Sequence, residues 1–159
     1  MEFRWYRYSD DGLKDGFDIR NEVFVKEIGY PTDVEFDDTD RISEHVVLYV
    51  DGKPVANARL FPEGDTLRFG RLCTYVQERG KGYGRACVEE CIRRAKELGA
   101  KEMILGAMIE KVPFYESLGF TAYGDVFFEE EFPHRIPCTD RSVWRRCRKC
   151  LLPVRRRCW

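Results

Sequence analysis

Arg79-Gly80-Lys81-Gly82-Tyr83-Gly84 stands where the residue pattern changes from that of a β-strand to that of an α-helix. Glycine permits a sharp turn and a close approach of the backbone to a ligand. The first N–H groups of a helix have no partner within it, and the helix dipole adds positive charge there, so phosphate oxygens are favoured. The stretch therefore predicts an anion site, to which Arg79 and Lys81 add mobile charge. The structural alternative is a loop that only joins the two elements.

The residues after this turn have the pattern of an amphipathic helix, with apolar and charged side chains on opposite faces. Gly99 is a suitable terminator. The apolar stripe consists of Tyr83, Cys87, Val88, Cys91, Ile92, Ala95 and Leu98, and the charged face of Arg85, Glu89, Glu90, Arg93, Arg94 and Glu97. A dinucleotide-binding turn would follow a first parallel strand. Here antiparallel strands are predicted before the turn, which disfavours that interpretation.

The rest of the chain predicts strands on both sides of this helix. Before it we expect a strand from Phe3 to Tyr8, a helix from Leu13 to Val25, a long loop from Glu27 to Arg41, a hairpin of Val46–Val50 and Pro54–Phe61 around Asp51-Gly52, and a strand from Leu67 to Val76. After it we expect a strand from Met103 to Ala107, a short helix from Val112 to Leu118, and a closing pair of strands, Phe120–Tyr123 and Val126–Glu130. Together these predict an α/β protein with a mixed sheet.

Composition and charge limit the classes of function. With 159 residues, 43% of them hydrophobic, the chain has the size of one compact domain. After Pro137 there are eight Lys and Arg against one acid, a net charge of +7, which leaves −8 for the remainder. An acidic body repels nucleic acid and attracts amines. Since neither a membrane-spanning stretch nor a signal peptide is recognisable, we expect a cytoplasmic protein without a membrane partner.

Two segments together carry a resemblance to a known family. The turn from Arg79 to Gly84, followed by Pro113-Phe114-Tyr115-Glu116-Ser117-Leu118-Gly119-Phe120, resembles the two signature segments of GNAT N-acetyltransferases. The segments Arg20–Glu27, the acidic loop through Asp40, His45, and Phe128–His134 resemble a bacterial GNAT branch of poorly defined substrate. The resemblance covers residues 1–137. It implies the GNAT acyl-CoA N-acyltransferase fold, in which helices flank a central, mostly antiparallel sheet.

The resemblance also implies a mechanism and a cofactor site. Acetyl-CoA would be the cosubstrate, and acetyl would pass directly to an amine without a covalent acetyl-enzyme. Backbone groups of Leu72 and Thr74 would pair with the pantetheine arm, and Tyr115 would protonate the departing thiolate as general acid. The diphosphate would bind at Arg79, Gly80, Lys81, Gly82, Tyr83 and Gly84.

The acceptor side is less determined by sequence. We take Glu27, His45 and His134 as candidate substrate contacts, although a structural hydrogen-bonding role is the favoured interpretation for each histidine by itself. The general base stays open among Glu27, Glu35, Asp37, Asp38, Asp40, Glu44 and Glu110. Ile28 and Met108 stand where this branch commonly carries glutamine, which indicates a less polar or different acceptor pocket.

Residues 138–159 form a basic, cysteine-rich extension beyond the resemblance. Cys147 and Cys150 have a spacing compatible with zinc, but no second such pair occurs, so we assign no metal site. Contact with nucleic acid is a second interpretation of this basic segment, and an extension that covers the acidic body or lies loose is the favoured one. In the body we expect reduced cysteines and no structural disulfides.

Other functions remain open for the whole chain. A catalytically silent acyl-CoA-binding sensor could use the same fold, and a weaker resemblance of Glu35–Asp40 and Ala58–Pro62 to acyl-homoserine lactone synthases ranks low. A small-molecule amine is the expected partner, and a homodimer is compatible with the sequence.

Overall fold

The computed structural model describes residues 1–129 and 132–138, of which the side chains of 125 and 127–138 are not described. The strands are β1 Glu2–Tyr6, β2 Glu44–Val50, β3 Lys53–Glu63, β4 Thr66–Thr74, β5 Met103–Ile104, β6 Ala107–Met108, β7 Thr121–Glu129 and β8 Phe132–Cys138. The α-helices are α1 Leu13–Arg20, α2 Thr32–Glu35, α3 Tyr83–Glu97 and α4 Val112–Glu116. A π-helix, Asn21–Ile28, continues α1, and 3₁₀ turns occupy Asp38–Ile42, Val76–Glu78 and Ile109–Lys111.

The strands form one mixed sheet in the order β1-β2-β3-β4-β5-β8-β6, with β7 paired to β8. The pairs among β1 to β4 are antiparallel, β4 and β5 are parallel, and the remaining pairs are antiparallel. The predicted α/β class with a mostly antiparallel sheet is thus confirmed. The hairpin at Asp51-Gly52 is also present, with φ of 51° and 76° at these two residues.

Successive residues of β2 face opposite sides of the sheet, and each side has its own core. Val46 and Leu48 pack in the core that contains Cys87, Val88 and Cys91 of α3. Val47 and Tyr49 pack with Ile19 and Val23 on the other side. Helices α3 and α4 therefore cover one face, and α1 with the π-helix covers the other. Cys73, Cys87 and Cys91 are free and buried.

Three sequence predictions differ from the structure. The predicted loop from Glu27 to Arg41 is largely helical, because buried arginines rather than apolar periodicity organise it. The predicted closing pair of strands is wrong: β7 is continuous from Thr121 to Glu129 and pairs with β8. Gly124, which resembles a turn signal, lies within β7 at φ 75°, where the register between the two strands shifts. The predicted strand Met103–Ala107 is divided into β5 and β6.

Strand β4 separates from its neighbour for most of its length. Its pairing with β5 consists of Leu67 with Met103 and Arg68 with Ile104, although β4 continues to Thr74. Beyond Ile104 the chain turns away, and β6 pairs with β8. The sheet is thereby open between β4 and β6.

A buried ionic network fixes the α2 region to the sheet. Arg20 Nη1 and Arg59 Nη1 lie 2.8 Å and 2.5 Å from Asp40 Oδ1, and Arg20 Nε lies 2.6 Å from Glu35 Oε1. All four side chains are at most 2% exposed. Such pairs add little net stability relative to apolar packing, but removal of one partner leaves a buried charge uncompensated.

No helix within the described residues is long and apolar enough to cross a membrane.

We predict that Asp40→Ala lowers the free energy of unfolding by about 3 kcal/mol, because Arg20 and Arg59 lose a shared carboxylate. The matched control is Asp38→Ala, whose side chain is fully exposed and should cost less than about 0.5 kcal/mol. Denaturant unfolding of both variants measures the difference. Equal losses would show that the buried network does not stabilise the fold.

Candidate functional site

A cavity of about 800 Å³ lies at the opening beside β4. Residues 68–74 of β4 and 105–108 of the chain beyond β5 line its two sides. From the α3 and α4 face it is lined by Tyr83, Gly84, Arg85, Phe114 and Tyr115, and from the α1 face by Val23, Phe24, Glu27, Ile28, Tyr30 and Val34. Residues of both helical layers therefore line the cavity.

The glycine-rich turn borders this cavity with unpaired backbone donors. Gly80 and Gly82 have φ of 77° and 85°, and a Cβ at either would have no atom within 4 Å. The helix begins with the bond from Ala86 N–H to the Gly82 carbonyl. Within the described residues, the N–H groups from Gly80 to Gly84 form no backbone hydrogen bond. Because protein packing leaves this space open, the arrangement meets the requirement of the predicted anion site.

Both cations of the turn are paired with carboxylates. Arg79 Nη1 and Nη2 donate to the two oxygens of Glu27 at 2.7 and 2.6 Å, and its Nε donates to the Thr74 carbonyl at 3.2 Å. The hydrogen bonds from Arg79 lower the pKa of Glu27. Lys81 Nζ lies 2.8 Å from Glu78, and Lys81 is not part of the cavity lining. An anion at the turn would therefore compete with Glu27 for Arg79.

Tyr115 lines the cavity from α4 and is 9% exposed. Its ring packs edge-on against Phe69, Phe114 and Phe120, with centroids 6.3, 5.0 and 5.8 Å away. Burial raises its pKa, so the phenol keeps its proton at neutral pH. These ring contacts restrict the orientation of the Tyr115 side chain.

A β-bulge shapes the stretch of β4 that contains Leu72. The pairs Asn57 with Cys73 and Arg59 with Gly70 leave two residues of β4 opposite one of β3. Arg71, in the bulge, has φ of 53°, a left-handed conformation that costs a non-glycine residue about 1 kcal/mol or more. Leu72 and Thr74, on the same strand, both line the cavity.

Two side-chain anchors hold this strained backbone. Asn57 Nδ2 donates to the Arg71 carbonyl at 3.3 Å, and the Arg71 guanidinium donates to the carbonyls of Val34 and Glu35 at 3.0 and 3.2 Å. Arg71 Nε also lies 2.9 Å from Glu35 Oε2. Asn57 and Arg71 could not be predicted from the sequence, since no residue-type preference indicates a left-handed arginine within a strand.

The structure gives His45 a structural position in place of the predicted substrate contact. Its side chain is fully buried and does not line the cavity, and Nε2 lies 3.1 Å from the Asp40 carbonyl. Burial lowers its pKa to about 4, so the ring is neutral at pH 7. The side chain of His134 lies outside the described part of the chain, and its backbone pairs with Met108 of the cavity wall.

Position relative to the cavity distinguishes the candidates for the general base. Of the seven carboxylates considered, Glu27 lines the cavity. Glu35, Asp37 and Asp40 are paired with arginines. The remaining three, Asp38, Glu44 and Glu110, are not among the lining residues. The cysteine pair Cys147 and Cys150 lies outside the described residues.

Comparison with known proteins gives one consistent family. The model of the acetyltransferase (GNAT) domain matches residues 7–135. The uncharacterized N-acetyltransferase YjcF of Bacillus subtilis is 33% identical over 127 residues, which cover 79% of this chain and 91% of that protein.

Solved structures agree on the fold. An acyl-CoA N-acyltransferase from Pseudomonas aeruginosa is similar with a TM-score of 0.79 and 24% identity, over 87% of this chain and 99% of that one. A GNAT family acetyltransferase from Elizabethkingia anophelis with acetyl-CoA bound is similar with a TM-score of 0.66 and 13% identity, over 87% and 97% of the two chains. At these identities the likeness concerns the fold.

The buried histidine generates a prediction for pH dependence. A group whose pKa is depressed by folding contributes stability above its unfolded pKa, near 6.5, and that stability is lost as pH falls towards the folded value. For His45, with a folded pKa of about 4, we expect a loss of about 2 kcal/mol between pH 7 and pH 5. His45→Gln should lose about 2 kcal/mol less over the same range. Denaturant unfolding at both pH values measures this, and identical losses in the two proteins would contradict it.

Proposed function

The chain belongs to the GNAT acetyltransferase family, and on that premise we propose that it transfers acetyl from acetyl-CoA directly to a primary amine of a small molecule or peptide. The observation that carries the proposal is the row of N–H groups from Gly80 to Gly84 beside the cavity, unpaired with the backbone of the described residues. Backbone N–H groups that are buried or lie in a cleft need hydrogen-bond acceptors. A diphosphate supplies several acceptors at the start of a helix.

The cofactor side uses the turn and the open edge of β4. The N–H groups of Gly80, Lys81, Gly82, Tyr83 and Gly84 would hold the diphosphate, with Arg79 exchanging Glu27 for a phosphate oxygen. Leu72 and Thr74 would offer backbone groups to the pantetheine arm, because β4 has left β5 by this point. When bound, acetyl-CoA supplies an activated thioester. A backbone N–H of the bulged strand would stabilise the negative charge that develops on its carbonyl oxygen.

Tyr115 is our proposed general acid. Its raised pKa keeps a proton available, and the proton would pass from its hydroxyl to the departing thiolate of CoA. Packing against three phenylalanine rings restricts the position from which it donates.

Glu27 is our proposed contact for the substrate ammonium and the favoured base. It lines the cavity, and its lowered pKa keeps it ionised at neutral pH. We retain His134 as a second candidate contact, since its backbone adjoins Met108 of the cavity wall. His45 is not carried forward.

The first test concerns the diphosphate site. Acetyl-CoA at about 100 times its Kd should stabilise the protein by about 3 kcal/mol. Gly82→Val should abolish this shift in scanning fluorimetry, because a β-branched side chain would occupy the open space at the turn. Gly64→Val is the matched control, since Gly64 also has positive φ and open surroundings but does not line the cavity. A retained shift in Gly82→Val would place the cofactor elsewhere.

The second test concerns Tyr115. Tyr115→Phe should lower kcat for amine acetylation by about 100-fold, as expected for loss of a general acid. The Kd for acetyl-CoA should not change, because the ring packing is kept. Free-thiol release measures turnover, and titration calorimetry measures binding. Unchanged turnover would remove Tyr115 from the mechanism, and binding without thiol release for any amine would favour the non-catalytic sensor.

A further inference from the structure

The acceptor side of the cavity has a composition that restricts the amine, provided that the proposed acetyl transfer is correct. This wall is formed from the α1 face by residues of the π-helix, of the segment before α2 and of α2 itself. Six of its residues line the cavity: Val23, Phe24, Glu27, Ile28, Tyr30 and Val34. Five have apolar or aromatic side chains, and Glu27 is the one charged member of the six.

Two aromatic rings of this wall stack on each other. Phe24 and Tyr30 are stacked, with centroids 6.0 Å apart and an interplanar angle of 13°. Phe61 and Phe69, from the adjacent strands, also line the cavity and are 5% and 2% exposed. Aromatic surfaces of this kind bind a second ring through its apolar area and edge or stacking contacts. A polyhydroxylated or multiply charged group would leave its polar atoms without partners there.

The charged side chains of the cavity lining are paired with side chains of opposite charge. Its lining includes two carboxylates, Glu27 and Glu78, and six cationic side chains, Arg59, Arg68, Arg71, Arg79, Arg85 and Lys111. Asp37, Asp40 and Glu35 balance Arg59 and Arg71 from outside the lining. Glu63, Glu89 and Glu110, likewise outside the lining, pair with Arg68, Arg85 and Lys111. Of the two lining carboxylates, Glu27 pairs with Arg79 and Glu78 with Lys81. A second ammonium group of the acceptor would therefore have to displace Lys81 from Glu78.

We infer that the acceptor is a primary monoamine attached to an aromatic group, with Glu27 as the carboxylate for its ammonium and the Phe24–Tyr30 pair as the apolar surface for its ring. The acidic net charge of the body attracts amines in general, whereas the cavity selects among them. A linear diamine of similar length has the same reacting group, but it replaces the ring with a second positive charge.

The experiment compares 2-phenylethylamine with 1,5-diaminopentane at saturating acetyl-CoA, using free-thiol release by the full chain. We expect kcat/KM to be at least about tenfold higher for phenylethylamine, which is the discrimination that one apolar pocket commonly provides. Phe24→Ala should lower kcat/KM for phenylethylamine by about tenfold and leave the Kd of acetyl-CoA unchanged. Phe36→Ala is its control, because Phe36 packs on Phe17 and does not line this cavity.

A substitution that adds a carboxylate tests the same inference through a relative gain of activity towards the diamine. Ile28, which is 40% exposed on the cavity wall, is replaced in Ile28→Glu by a second carboxylate. The ratio of kcat/KM for diaminopentane to that for phenylethylamine should then rise about tenfold. Ile42→Glu alters a side chain that is 61% exposed and outside the cavity, and should leave the ratio unchanged.

The outcomes separate the inference from the proposed function. Equal or preferred use of diaminopentane by the unaltered protein overturns the aromatic monoamine and leaves acetyl transfer standing. So does turnover with neither amine when other amines release thiol. Stabilisation by acetyl-CoA without thiol release from any amine overturns the proposed function, and the inference with it.

Discussion

The separation of β4 from β5 leaves backbone groups of β4 for which β5, within the described part of the chain, provides no hydrogen-bond partner. Backbone N–H and C=O groups withdrawn from water need hydrogen-bond partners. After Arg68, β4 has no partner in β5, and the turn at Gly80–Gly84 presents N–H groups that the helix does not use. Both sets border one cavity. An extended ligand with amides along its length and phosphates at one end would satisfy both, and CoA has this form.

The same strand has an unusual backbone just where chemistry is proposed. Arg71 adopts a left-handed conformation and is held by hydrogen bonds from Asn57 and to the α2 segment. That segment is itself fixed by the pairs of Arg20 with Glu35 and Asp40. The buried ions therefore connect the local conformation of β4 to a distant helix. They explain why a charged stretch with little apolar periodicity is ordered.

The sequence predicted the elements whose pattern is local. The stripe of α3 and the Asp51-Gly52 hairpin follow from spacing and turn chemistry, and the glycine-rich turn from the start of a helix. Prediction from the sequence failed where contacts with distant residues determine the conformation of a segment. The segment from Glu27 to Arg41 is organised by arginines of α1, β3 and β4. Strand β7 continues through Gly124 because β8 pairs with it on both sides of the register shift. Residue type alone made His45 a candidate substrate contact, whereas its burial beside the Asp40 carbonyl agrees with the structural hydrogen-bonding role.

The contact between Arg79 and Glu27 joins the two halves of the site through a single cation. Under the proposed mechanism, a phosphate oxygen and the Glu27 carboxylate are rival ligands of one guanidinium. When a phosphate oxygen binds Arg79, the Glu27 carboxylate is released and becomes available to an incoming ammonium. Linkage then requires reciprocity: whatever free energy the nucleotide contributes to amine affinity, the amine returns to nucleotide affinity. The two substrates would thus bind with positive cooperativity, although neither touches the other's anchoring residues.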